Sequence, residues 1–171
     1  METAVDLPLV VVGERITRTI RYSREDIAHF ARLTFDYNPL HYDAQAAGRA
    51  QFGEIIAPGQ QTSAIMMGLV ATYFSRDDDG LKRQMLCLNF NFAYKLPVFA
   101  EQDLVLGWTV ASVEWNSKLG GQLAHLDGVA EVVRDHRGPL GNDLGDRARD
   151  DSRQARPRRR LMLLRARDAA L

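Results

Sequence analysis

One carboxylate and one imidazole, those of Asp36 and His41, lie five positions apart around an Asn-Pro dipeptide. A proline keeps the residue before it out of the helical region, so Asn38 should be extended and a helix running up to Asp36 should end there. The break would allow the two side chains to converge. A positioned Asp/His pair can take a proton from water and pass one on, which contributes roughly two to four orders of magnitude in rate. The segment therefore predicts acid/base chemistry.

The same residues allow a simpler interpretation. Asp and Asn side chains ahead of a proline often accept hydrogen bonds from backbone amides and build an Asx-turn. The spacing of two titratable residues does not separate a turn from a catalytic pair. Both interpretations of residues 36–41 stay open on these residues alone.

Several motifs taken together resemble the MaoC-like hydratases, that is, the (R)-specific enoyl-CoA hydratases. They are Asp36-Tyr-Asn-Pro-Leu-His41, Phe52-Gly53, Ile55-Ile-Ala-Pro-Gly59 and Lys95-Leu-Pro-Val-Phe-Ala-Glu. The resemblance covers about residues 12 to 135. It implies an α+β hot-dog fold, in which a curved antiparallel sheet wraps a long central helix. It also implies a homodimer or higher homo-oligomer with the substrate channel at the subunit interface.

The resemblance further implies a hydro-lyase that hydrates trans-2-enoyl thioesters to (R)-3-hydroxyacyl thioesters, carried by coenzyme A or by an acyl carrier protein, without a metal or other cofactor. Asp36 and His41 would hold the water, with Asp36 the better candidate to take its proton. The N–H of Gly59 would stabilise the enolate, a role worth roughly 3 kcal/mol by analogy with other oxyanion donors. Asn38 would fix the loop through bonds to the backbone.

The residues after Gly59 are polar for the start of an apolar helix. The amides and hydroxyls of Gln60-Gln61-Thr62-Ser63 could therefore face the ligand, with Gln60 and Thr62 expected to bind substrate, or they could only cap the helix. Two positions depart from the family's pattern: Pro58 stands where members commonly have His, and Glu101-Gln102 stands where they have Gly-Asp. These departures keep open the alternative of a non-catalytic acyl-thioester-binding subunit of a hetero-oligomeric hydratase. A hot-dog thioesterase is a second enzymatic alternative, and the Asn-Pro-Leu-His context argues against it.

Composition fits one domain and a small-molecule substrate. The 171 residues are 46% hydrophobic, which is enough for a single sizeable core. Acidic and basic residues number 22 each, so we expect neither a nucleic-acid nor a membrane partner. The lone cysteine, Cys87, fits a reducing compartment, and we expect it to pack in the core of a cytoplasmic protein. Four scattered histidines offer no zinc-site spacing.

Periodicity predicts the elements that must position these residues. Apolar and charged residues alternate over 15–22 as in a half-buried strand, and Ser23 precedes a helix with an acidic first turn. A core helix is expected over 60–74, strands over 85–94, 104–114 and 122–133, with Phe90 and Phe92 packed in the core, and a turn at Gly120-Gly121. We expect one domain over 1–136 and a poorly ordered Arg/Asp-rich tail over 137–171.

Overall fold

The computed structural model describes residues 8–133 and the backbone of 160–166. Three helices and five strands are defined there, with a 3₁₀ turn at Pro39–His41. Their bounds are β1 (Arg15–Arg21), α1 (Arg24–Leu33), α2 (Ala44–Arg49), α3 (Gly59–Phe74), β2 (Arg83–Asn89), β3 (Asp103–Asn116), β4 (Gly121–Val132) and β5 (Arg160–Ala166). None of the helices within these ranges has the length and apolar character needed to cross a membrane.

A five-stranded antiparallel sheet packs against α3. Its strand order is β1-β3-β4-β5-β2, so β1 and β2 form the two edges. One face of α3 is buried through Met66, Val70 and Phe74. The indole N–H of Trp108, on β3, donates to the Met66 carbonyl at 2.9 Å and joins sheet to helix. The expected α+β class and the core position of the helix are confirmed.

The predicted strand over 85–94 is wrong beyond Asn89. The ladder between β2 and β5 shifts register between Cys87 and Asn89, and residues 90–94 do not continue the strand. Because β2 is a sheet edge, the expected burial of Cys87 is also wrong: its side chain is exposed. Phe90 is likewise exposed rather than packed in the core, whereas Phe92 packs edge-on against Trp108.

Helix α1 begins where the sequence predicts and ends earlier. Ser23 is its N-cap, and a reciprocal pair of hydrogen bonds with Asp26 forms a capping box. The helix ends at Leu33, not at Asp36, because Thr34 caps it and turns its hydroxyl back onto the Phe30 carbonyl at 2.9 Å. Proline restricts only its immediate neighbour, so the sequence argument could not locate this earlier end.

Two further elements were not expected. The short helix α2 begins after Asp43, whose carboxylate accepts hydrogen bonds from the N–H groups of Gln45 and Ala46. Strand β5 lies between β4 and β2, so this part of the predicted C-terminal tail belongs to the sheet. The rest of the predicted tail, like the boundary at 136, lies outside the described residues and stays a prediction.

Candidate active site

The C-terminus of α1 sets the position of Asp36. The Asp36 N–H donates to the Ala31 carbonyl at 2.8 Å, and the Phe35 N–H donates to the Arg32 carbonyl at 3.2 Å. This pair of bonds is a Schellman motif, which places Phe35 in the left-handed region with φ of 57°. The carboxylate of Asp36 is therefore held at a fixed position just beyond the end of the helix.

Phe35 is a strained residue beside this carboxylate. A left-handed conformation costs a residue with a Cβ about 1–2 kcal/mol, whereas glycine adopts it freely. Phe35 is 77% exposed, so little packing offsets that cost. We expect Phe35→Gly to raise the free energy of unfolding by about 1 kcal/mol relative to Phe35→Ala, which removes the same ring but keeps the Cβ. Denaturant unfolding of the two variants measures this difference, and equal stabilities would contradict it.

Asp36 and Asn38 do form the turn that the simpler interpretation predicts. One carboxylate oxygen of Asp36, Oδ1, accepts the Asn38 N–H at 3.1 Å. Asn38 is extended, with φ of −66° and ψ of 119°, and its own side-chain oxygen accepts the Leu40 N–H at 3.1 Å. The turn uses only Oδ1 of Asp36. Its other oxygen, Oδ2, points to His41, so the turn and the convergence of the pair occur together.

The orientation of His41 is fixed by the segment that leads into α3. Its Nδ1 lies 2.7 Å from the Ile56 carbonyl oxygen, and the Ile56 N–H donates back to the Leu40 carbonyl at 3.2 Å. A carbonyl can only accept, so Nδ1 carries the proton and Nε2 of the neutral ring carries the lone pair. The residue is 6% exposed, which excludes solvent from most of the ring.

His41 Nε2 and Asp36 Oδ2 face each other at 3.5 Å. This distance is longer than an ordinary N–H···O hydrogen bond, and both atoms are acceptors when the imidazole is neutral. Two acceptors that face each other are satisfied by a group with two donors, and water is the simplest. The Asp36 carboxylate is 29% exposed, so solvent reaches the pair.

Gly59 is the first residue of α3, and Tyr94 lies directly over it. A Cβ on Gly59 would come within 2.9 Å of the Tyr94 ring. The Tyr94 hydroxyl lies 3.0 Å from the Ser63 hydroxyl one turn along the helix. The Gly59 N–H, at the positive end of the helix, has no acceptor in the part of the chain that the structure describes. Sequence reasoning missed Tyr94, because nothing local connects it with a glycine 35 positions earlier.

Residues 55–57 connect the two parts of the site, the Asp36/His41 pair and the start of α3 at Gly59. Ile56 holds His41, as described above, and the Ala57 N–H donates to the Val98 carbonyl at 2.8 Å. Pro58 is the N-cap of α3 and makes no side-chain hydrogen bond to its first turn. The alternative in which Gln60 or Thr62 caps this helix is therefore wrong, since the N-cap position belongs to Pro58.

The structure separates Gln60 and Thr62 from the Asp36/His41 pair. Gln60 is exposed. Thr62 is buried and its hydroxyl oxygen accepts a hydrogen bond from the Tyr22 phenol at 3.2 Å. Burial raises the pKa of Tyr22, which keeps that phenol protonated and able to donate. No contact of either residue with Asp36 or His41 is seen among the described residues, and their role in substrate binding stays a prediction.

The described part of the chain holds no group of three or more His, Cys, Asp or Glu side chains arranged to bind a metal ion. The expectation of a site without metal or cofactor stays a prediction.

Comparison with known proteins places this chain in a family. The family model described as "MaoC like domain" matches residues 10–119. The mitochondrial 3-hydroxyacyl-acyl-carrier-protein dehydratase FERN of Solanum lycopersicum is 24% identical over 57% of this chain and 54% of its own length. The (R)-specific enoyl-CoA hydratase of Aeromonas caviae is 27% identical over 54% of this chain and 65% of its own length.

Among solved structures, the (R)-hydratase from A. caviae involved in PHA biosynthesis superposes with a TM-score of 0.63 at 19% identity. That match covers 91% of this chain and 95% of the other, and it establishes the hot-dog fold. The chain belongs to the MaoC-like domain family. It spans about half the length of the curated relatives that it matches.

Proposed function

We propose that this protein is a hydro-lyase that adds water to trans-2-enoyl thioesters and gives (R)-3-hydroxyacyl thioesters. The observation that carries the proposal is the 3.5 Å separation of two acceptors, His41 Nε2 and Asp36 Oδ2, with the imidazole fixed by the Ile56 carbonyl. The family membership and the names of its hydratase and dehydratase relatives support it.

The pair holds one water through both of its O–H groups. As the water oxygen bonds to the β-carbon, Asp36 takes a proton and His41 keeps the water oriented. The Asp36/His41 pair then returns a proton to the α-carbon, so that H and OH are added across the double bond. Positioned proton transfer of this kind contributes about 10²–10⁴ in rate.

Charge that develops on the thioester oxygen is stabilised at the start of α3. The Gly59 N–H, at the positive end of the helix, binds the enolate oxygen in this proposal, which is worth roughly 3 kcal/mol for a single oxyanion donor. Pro58 has no N–H, so Gly59 supplies the donor without help from the preceding residue. The thioester is carried by coenzyme A or an acyl carrier protein and needs no further cofactor.

Product analysis separates this proposal from a hot-dog thioesterase and from a binding subunit. Purified protein is incubated with crotonyl-CoA, the 3-hydroxybutyryl product is resolved by chiral chromatography, and free thiol is titrated in parallel. We expect the (R) product and no thiol. Thiol release without a hydroxyacyl product would instead identify a thioesterase, and neither product would favour the non-catalytic subunit.

We also propose that two copies associate along β2. This edge strand exposes Leu86 and Leu88, and Phe90 lies just after it; their exposed fractions are 50%, 44% and 59%. An apolar strand at the edge of the described sheet favours pairing with another strand, and two identical edges satisfy a two-fold axis. Sedimentation should give a dimer for the wild type and a monomer for Leu88→Lys; a wild-type monomer would contradict the proposal.

A further inference from the structure

The first turn of α3 has no side-chain cap, although the proposed reaction uses its Gly59 N–H. Pro58 occupies the N-cap position and makes no side-chain hydrogen bond to the turn. A capping oxygen would lie at the positive end of the helix, where its partial negative charge would repel an enolate oxygen. The turn must therefore be held by a contact that leaves this end of the helix free.

Tyr94 makes such a contact from the side of the helix. Its ring lies against Gly59, since a Cβ at that position would come within 2.9 Å of ring carbons. Its hydroxyl lies 3.0 Å from Ser63 Oγ, one turn further along α3. Ser63 is buried and donates its only proton to the Gln60 carbonyl at 3.1 Å, so Tyr94 is the donor between the two hydroxyls. The phenol thus spans the first turn without using a backbone N–H.

Packing against the sheet sets the position of Tyr94. Tyr94 is exposed and belongs to residues 90–94, which do not continue β2, so its position depends on its contacts. Its ring stacks on Phe92, with the planes 2° apart and the centroids 6.4 Å apart, and Phe92 packs edge-on against the buried Trp108. The Trp108 indole is hydrogen-bonded to the Met66 carbonyl of α3. Three aromatic rings therefore connect the core to the start of the helix.

We infer that Tyr94 is a positioning residue that holds the Gly59 N–H against the thioester oxygen, an inference that rests on the proposed function. The ring fixes the first turn of α3, and the Ser63 hydroxyl fixes the ring. This arrangement also explains the glycine at position 59, because a side chain there would displace the ring even though alanine favours a helix over glycine. A Cβ on Gly68, in the same helix, would meet no neighbouring group within 4 Å among the described residues.

Thermal unfolding tests the contact between Tyr94 and Gly59 without requiring turnover. Gly59→Ala should lower the melting temperature in the wild-type background, because the ring must move. It should raise the melting temperature in the Tyr94→Ala background, because alanine is the better helix former. Gly68→Ala is the matched control and should raise the melting temperature in both backgrounds. A Gly59→Ala shift of the same sign with and without Tyr94 would overturn the inference.

The carbonyl stretch of bound butyryl-CoA tests the positioning role. This saturated thioester has no double bond to hydrate, so infrared difference spectra at saturating ligand report the hydrogen bond to its carbonyl oxygen. We expect binding to wild-type protein to shift the stretch to lower wavenumber and Tyr94→Ala to lose most of that shift. Tyr94→Phe and Ser63→Ala remove the same hydrogen bond and should reduce the shift equally. A full wild-type shift in Tyr94→Ala would overturn the inference.

Hydration kinetics separate positioning from substrate binding. Tyr94→Ala should lower kcat about tenfold and change KM less than about twofold, because the enolate charge develops only in the transition state. Rates are referred to folded protein, measured by circular dichroism at the assay temperature. A higher KM with unchanged kcat would make Tyr94 a substrate-binding residue and would overturn the inference. If crotonyl-CoA is not hydrated but the carbonyl shift still depends on Tyr94, the proposed reaction fails while the positioning role stands.

Discussion

Replacing Asp36 with asparagine is expected to lower kcat/KM for enoyl-CoA hydration by about 10²–10⁴-fold while leaving the fold intact. The amide is nearly isosteric with the carboxylate. Its oxygen can still accept the Asn38 N–H, so the turn survives. What is lost is the base, because the group that faces His41 Nε2 can no longer take a proton from water.

Asp43→Asn is the matched control for this variant. Asp43 also accepts backbone N–H groups just before a helical turn, and asparagine is an equally good N-cap. Among the described residues, no hydrogen bond or ion pair joins Asp43 to His41. We expect Asp43→Asn to keep wild-type activity and stability. Equal activity of Asp36→Asn and Asp43→Asn would mean that residues 36–41 build only a turn.

The largest stability effect is expected at Arg83. Its side chain is 1% exposed, and its guanidinium donates to the Phe74 carbonyl at 3.1 Å, to the Leu9 carbonyl at 2.5 Å and to the Asp79 carboxylate. Phe74 ends α3, so the positive charge lies at the negative end of the helix dipole. Arg83→Met keeps an aliphatic side chain but removes the donor to the Phe74 and Leu9 carbonyls, and we expect it to lower the free energy of unfolding by about 3 kcal/mol.

Arg21→Met provides the comparison, since Arg21 also pairs with an aspartate. That pair is exposed, with side-chain exposures of 55% for Arg21 and 39% for Asp103. Exposed ion pairs contribute about 0–1 kcal/mol, because water and salt screen them. Chemical denaturation should therefore give a much larger loss in the free energy of unfolding for Arg83→Met than for Arg21→Met. Similar losses for the two arginines would contradict the role assigned to Arg83.

The sequence predicted the parts of the site that depend on local chemistry. Proline held Asn38 extended, and α1 began after Ser23 with an acidic first turn, because these effects act over three or four residues. The exact end of α1 was not predictable, since nothing in the sequence indicates that a phenylalanine occupies the left-handed position that usually selects glycine.

Features that depend on distant contacts could not be predicted in this way. The orientation of His41 depends on its hydrogen bond to the Ile56 carbonyl, 15 residues away. The space beside Gly59 is filled by the Tyr94 ring. Cys87 is apolar enough for a core, yet it is exposed because its strand forms the edge of the sheet. Alternation along a strand identifies its faces but not its place in the strand order.

The most direct test follows the enoyl ultraviolet absorbance of crotonyl-CoA, and of a medium-chain enoyl-CoA, after mixing with purified protein. Wild type and Asp43→Asn should both hydrate the double bond, so that the enoyl absorbance falls. With Asp36→Asn the absorbance should persist over the same time. Persistence of the absorbance with wild-type protein on both substrates, without thiol release, would contradict the proposal that this chain is a hydratase.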